Sequence, residues 1–138
     1  MKILYEARAS ASGGRSGRVT TSNETLDLQL AMPKELGGTG ETLPNPEQLF
    51  AAGYAACFDS ALAFAAAQQK VKLSGTRVDA VVGIGPREEG GFGLAVRLEV
   101  AIPDLPREQA QTLLEAADAV CPYSNAIRGN VDVKLVLV

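Results

Sequence analysis

The chain has 138 residues, thirteen Lys plus Arg against sixteen Asp plus Glu, two cysteines, no histidine and no tryptophan. Missing histidine excludes Ser-His-Asp and Cys-His catalysis and imidazole metal ligation, and two distant cysteines do not make a zinc site. The net charge of −3 argues against nucleic acid or an anionic membrane as main partner, so the groups left for chemistry are two thiols with carboxylates and arginines around them.

The N-terminal third reads as strands. Ile3, Tyr5, Ala7 and Ala9 alternate with polar neighbours, and strands over Val19–Ser22 and Leu26–Met32 flank a turn at Ser22-Asn23-Glu24. Gly13-Gly14 breaks the first hairpin and places Arg15 on a mobile connection. Gly37-Gly38-Thr39-Gly40-Glu41 is a loop without the phosphate-binding pattern. Asn45-Pro46-Glu47 starts a helix, with Asn as N-cap, Pro at the first position and a carboxylate in the positive-dipole turn. That helix is expected over about Pro46 to Lys70. It is apolar nearly all round, which predicts burial nearly all round. Its apolar stretch is interrupted by Gly53, Asp59 and Ser60 and is mostly alanine, too weakly hydrophobic for a spanning helix.

Strands over Thr76–Gly85 and Phe92–Ile102 are joined by the hairpin loop Pro86–Gly91. An amphipathic helix over Pro106–Val120 turns Ala110, Leu113, Leu114 and Ala117 inward. Cys121-Pro122 ends it, a short turn or helix over Tyr123–Arg128 is closed by Gly129, and Val131–Val138 is a last strand. The plan is α+β: antiparallel strands around a long buried central helix, in a single domain over 1–138. No apolar segment follows Met1-Lys2-Ile3-Leu4-Tyr5-Glu6, so no secretory signal is expected and the location expected is cytoplasmic, with both thiols reduced at rest.

Each thiol carries two readings. Cys57, about eleven residues into its helix, is either a small buried hydrophobe or a reactive thiolate. As a thiolate it needs an arginine or lysine delivered to it, because burial raises its pKa and the helix dipole fades within a turn. Cys121, before Pro122, is placed to be the N-cap of the next turn with its sulfur toward free N–H groups. Local sequence therefore nominates Cys121 as the more acidic thiol. Their 64-residue separation forbids a CxxC motif, and spacing does not decide which thiol attacks. Asp59, two positions after Cys57, wants a partner or marks a wet edge of the helix.

Three stretches carry a resemblance over essentially the whole chain. They are Asn45–Phe58 (NPEQLFAAGYAACF), the pair Gly83-Ile84-Gly85 and Gly90–Leu94, and Val120–Ala126 (VCPYSNA) with Arg128-Gly129-Asn130. They resemble the organic hydroperoxide resistance proteins, the Ohr branch of the Ohr/OsmC family, and Gly13-Gly14-Arg15-Ser16-Gly17 is similar to that family's arginine loop. The resemblance implies a thiol peroxidase for organic hydroperoxides, lipid-derived ones included. On it Cys57 is peroxidatic, Cys121 resolving, Arg15 activates the thiolate and Glu47 orients Arg15, which reverses the local preference for Cys121. It further implies a Cys57–Cys121 disulfide reduced by a dithiol such as a protein-bound dihydrolipoyl group, with no bound cofactor or metal. Tyr54, Phe58 and Tyr123 are candidates for an apolar substrate wall, with core packing as the plainer reading of each. Arg18 is a reserve for Arg15.

Glu47 and Cys57 stand ten positions apart, ~15 Å along a helix axis and about 80° around it. One arginine reaching both within one chain would be almost fully extended, so a Glu47 from a partner subunit, in an intertwined homodimer with sites at the interface, is expected. Two other readings stand beside the enzyme: a non-catalytic module binding a hydrophobic ligand, and a thiol redox sensor. The sensor is weakened by the lack of a basic DNA-binding element.

Overall fold

The computed structural model describes all of residues 1–138, which group into two compact units, Met1–Leu49 and Phe50–Val138. In the first, β1 (Ala9–Ser12), β2 (Arg18–Thr21) and β3 (Asp27–Gln29) form an antiparallel sheet in that order. The strand expected from Ile3 starts only at Ala9. The Arg8 carbonyl still accepts from the Ser22 N–H at 2.9 Å, but residues 1–7 form no strand and are exposed, Leu4 at 89% and Tyr5 at 80%. Alternation alone does not make a strand; the ladder needs a neighbour to bond.

The first hairpin closes through a single 3-10 turn, Gly14–Ser16, entered from Gly13 in the left-handed region at φ 73°. Gly17 ends the turn so close to β1 that a Cβ there would lie 1.7 Å from the Ser12 carbonyl oxygen. Only glycine fits, and this tight closure carries Arg15 on a defined 3-10 turn.

Helix α1 (Pro46–Gln68) begins in the first unit and runs through the second. Its start is a reciprocal capping box: the Gln48 N–H donates to Asn45 Oδ1 at 2.9 Å, and the Asn45 N–H donates to Gln48 Oε1 at 3.1 Å. The helix is long and apolar enough to cross a membrane by length and composition. Yet one stripe of it, Tyr54, Phe58, Ala61, Leu62, Ala65 and Ala66, is buried in the protein core. The expected burial all round is not found: Ala52, Ala56, Ala63 and Ala67 are exposed, and so is Phe64, at 55%. Alanine fills both faces, so the sequence carries no periodic signal for the side that packs.

In the second unit β4 (Arg77–Pro86), β5 (Phe92–Ala101) and β6 (Asp132–Leu137) form a sheet with β5 central. β4 and β5 are an antiparallel hairpin, while β6 runs parallel to β5, so this sheet is mixed. Along β5, Val96, Leu98 and Val100 are buried and Ala95 and Arg97 face out, the period of two of a half-buried strand. Helix α2 (Arg107–Val120) brings Ala110, Leu113, Leu114 and Ala117 to the same core, the stripe its sequence predicts. Fully burying a leucine such as Leu62, Leu98 or Leu113 contributes about 1.5–3 kcal/mol each. Helix α3 (Pro122–Ile127) follows α2 after a single residue, Cys121.

Candidate active site

The sequence candidates gather in two groups. In the first unit, the perch at Gly14–Ser16 turns Arg15 onto the first turn of α1. Its Nη1 donates to Glu47 Oε2 and its Nη2 to Glu47 Oε1, each at 2.7 Å. This fork-to-fork pairing is the strongest geometry open to a guanidinium and a carboxylate. The Arg15 guanidinium holds the Glu47 carboxyl below the ordinary carboxylate range, against the opposing effect of burial. Both residues belong to one chain, so Arg15 reaches Glu47 without the partner-subunit carboxylate that the helix spacing favoured. The tight hairpin closure delivers Arg15 without help. Arg18, the reserve candidate, is committed elsewhere, in an exposed bidentate pair with Asp27 on the neighbouring strand.

In the second unit, α1 carries Cys57 and the α2–α3 junction carries Cys121. The sulfurs lie 3.7 Å apart, both as free thiols. Cys121 caps both helices: its N–H donates to Ala117 O at 2.9 Å, ending α2, and its carbonyl accepts from the Asn125 N–H at 3.0 Å, opening α3. Its side chain, however, makes no capping bond. The local expectation that its sulfur faces the α3 amides is therefore overturned; the sulfur points to Cys57 instead. The two thiols also differ in access. Cys121 is fully buried at 0% exposure, while Cys57 is only partly buried. Burial pushes the Cys57 thiol up, the backbone amide of Tyr123 opposes it by favouring the thiolate, and Cys121 adds to the rise.

The three aromatic candidates separate. Tyr54 and Phe58 are fully buried, and the Tyr54 hydroxyl shares a 2.8 Å hydrogen bond with Ser124 Oγ on α3. Both are core residues rather than a surface wall, because the i, i+4 stripe that sends α1 into the core includes them. Tyr123 is 40% exposed, and its ring lies on α1 over Gly53, where an added Cβ would meet its hydroxyl at 3.1 Å. Phe50, which sequence reasoning passed over, joins it at a ring-centroid distance of 6.2 Å. Phe50 also lines a cavity of about 540 Å³ with Phe92, Leu94, Ile127 and Asn130, and its position one turn before Tyr54 was the available signal. Asp59 finds its partner in the Thr76 hydroxyl, and Arg128 braces α3 by donating to the Asp118 carboxylate and carbonyl at 2.8 and 2.9 Å.

A family profile described as "OsmC-like protein" matches residues 38–136. The chain is 54% identical over 137 residues to the organic hydroperoxide resistance protein of Xanthomonas axonopodis pv. citri, covering 99% of this chain and 96% of that one. It belongs to the Ohr branch of the OsmC-like family. Among solved structures, an organic hydroperoxide resistance protein from Legionella pneumophila superposes with a TM-score of 0.95 at 51% identity, covering 99% of this chain and 98% of that one. OhrB of Bacillus subtilis gives 0.90 at 45% identity over 99% and 100%. The α+β fold is thus that of the Ohr proteins; the first unit carries the Arg15–Glu47 ion pair and the second the Cys57–Cys121 thiol pair.

Proposed function

We propose that this Ohr chain is a thiol peroxidase that reduces organic hydroperoxides to alcohols. The observation that carries the reading is the pair of free thiols 3.7 Å apart with unequal access, in a chain 54% identical to a protein named for organic hydroperoxide resistance. The more accessible member of such a pair meets peroxide first, so Cys57 attacks and Cys121 resolves. The Cys57 thiolate displaces on one peroxide oxygen and the O–O bond breaks. The departing alkoxide takes a proton to become the alcohol, and Cys57 is left as a sulfenic acid. The Cys121 sulfur then forms the S–S bond as the S–O bond breaks, and its thiol proton leaves with the hydroxyl as water. A dithiol of the dihydrolipoyl type restores both thiols by exchange and is itself oxidised to a disulfide.

The resemblance to the Ohr family assigns Arg15 the part of the cation that offsets burial of the attacking thiol and polarises the peroxide oxygens, and within the first unit Glu47 holds its guanidinium in a defined orientation. A cavity of about 540 Å³ in the same unit as the thiols, lined by Phe50, Phe92, Leu94 and Ile127 together with Arg87 and Asp132, has the volume of a small-molecule site and supports an organic substrate. The working form is a homodimer. The exposed apolar residues Ile3, Leu4 and Tyr5 of the first unit and, separately, the exposed Phe64 on α1 in the second support this, since exposed large apolar side chains mark interaction faces.

The test is turnover of an alkyl hydroperoxide with a dithiol donor. Wild type turns over; Cys57→Ser abolishes the first oxidation; Cys121→Ser permits one oxidation and then stalls. Turnover surviving Cys57→Ser would overturn the enzyme reading in favour of a ligand-binding module.

A further inference from the structure

The two cysteines are one rung of a ladder between two helices. On α1, Tyr54 stands one turn before Cys57; on α3, Ser124 stands one turn after Cys121. The helices run in opposite senses here, so the rung of sulfurs at 3.7 Å is followed by a rung of hydroxyls at 2.8 Å. The second rung is fully desolvated: Tyr54 is 0% exposed and Ser124 3%. Ser124 is the one buried polar residue of the chain, and α3 is only six residues long. Apolar packing does not hold that side of α3 closely, because a cavity of about 190 Å³ lies behind it, lined by Tyr54, Ser124, Arg128, Val131, Val133 and Leu135. Arg128 ties α3 to α2 and the Tyr123 ring rests on α1, but a ring contact is not directional, so the hydrogen bond is the directional link between α3 and α1.

We propose that the Tyr54–Ser124 hydrogen bond is a positioning device for the resolving step, fixing α3 on α1 so that the Cys121 sulfur is held in line with Cys57. This rests on the thiol peroxidase reading and adds two positioning residues to it. Closing the disulfide brings the sulfurs from 3.7 Å to about 2.05 Å, a displacement that a fixed neighbouring rung keeps local. In the step concerned, the Cys121 sulfur bonds to the Cys57 sulfur, the S–O bond of the sulfenic acid breaks, and the hydroxyl leaves with the Cys121 proton as water. Further peroxide competes for the same sulfenic acid, oxidising it to the sulfinic acid while being reduced to an alcohol. The hydrogen bond therefore sets the ratio of disulfide to over-oxidised Cys57.

The experiment mixes full-length reduced protein with an alkyl hydroperoxide at rising ratios, quenches with a thiol-blocking reagent, and reads disulfide and sulfinic acid by mass spectrometry. Tyr54→Phe and Ser124→Ala are expected to lower the disulfide-to-sulfinic ratio about tenfold, the upper range for one buried hydrogen bond, and to slow disulfide formation more than the first oxidation. Ser124→Thr keeps the hydroxyl and has the cavity for its methyl, so the ratio returns toward wild type. A merely structural role would lower the melting temperature without moving this ratio. Folded variants with the wild-type ratio would overturn the inference; Tyr54→Phe, which keeps the ring packing, decides it if Ser124→Ala does not fold. A wild type that forms no Cys57–Cys121 disulfide would sink the peroxidase reading itself, a separate outcome.

Discussion

Arg15 grips Glu47 through both terminal guanidinium nitrogens, at 2.7 Å each, across 32 residues of sequence. The carboxylate also sits in the first turn of α1, where the helix dipole favours negative charge. One side chain thus answers to two positive ends, the arginine and the helix.

The sign of the pH effect follows. The folded-state pKa of Glu47 is depressed, so the pair's contribution is present above the ordinary carboxylate value and is lost as pH falls through the depressed one. Glu47→Gln is expected to cost about 1 kcal/mol near neutral pH, the modest worth of a partly exposed pair, and little at the acid end. Urea unfolding of both proteins across pH 3–8 measures this; a difference that grows toward acid would contradict it.

Burial already raises the Cys57 thiol, and on the proposed scheme Arg15 is the cation that offsets it, so Arg15→Ala removes that offset. The expected outcome is an alkylation-rate profile displaced to higher pH than wild type, with peroxide reduction at neutral pH down at least about a hundredfold, the loss of a preorganised cationic donor. Superimposable profiles would remove Arg15 from the role.

Gly17→Ala drives a Cβ to 1.7 Å from the Ser12 carbonyl. The hairpin must reopen, at a cost of about 3 kcal/mol, and the Arg15 perch goes with it. Activity is expected to fall to the level of Arg15→Ala while the two thiols still form a disulfide under a general oxidant.

Tyr123→Ala removes the exposed ring beside Phe50. The ratio of kcat/KM for a bulky alkyl hydroperoxide to that for hydrogen peroxide is expected to drop about tenfold, the discrimination one modest apolar contact provides. An unchanged ratio would place selectivity elsewhere.

Phe64→Asp puts a charge on the exposed apolar side of α1. Sedimentation is expected to show wild type as a dimer and the variant shifted toward monomer; a monomeric wild type would refute the dimer.

Much of this was legible from residues alone. The α2 stripe has a clean helical period against polar neighbours, and the β4–β5 hairpin is bracketed by Pro86 and Gly90-Gly91, so both elements fell where expected. Where alanine occupies every face, as in α1, no pattern told the packed side from the open one. The strand at Ile3 failed because pairing is a property of two segments, and the β1–β2 ladder begins only at Ala9. The parallel course of β6 follows from the α2–α3 crossover, which no window of local sequence encodes. The order of the thiols came from resemblance against local reading. The geometry supplies the reason the local reading lacked: a cap residue's backbone can serve a helix while its side chain serves something else.

That junction constrains the gene as well as the protein. Cys121 is the whole linker between α2 and α3, with its N–H committed to one helix and its carbonyl to the other. Inserting or deleting one residue there would rotate the thiol by about 100° about a helix axis. The spacing around this residue tolerates substitution but not a change of length.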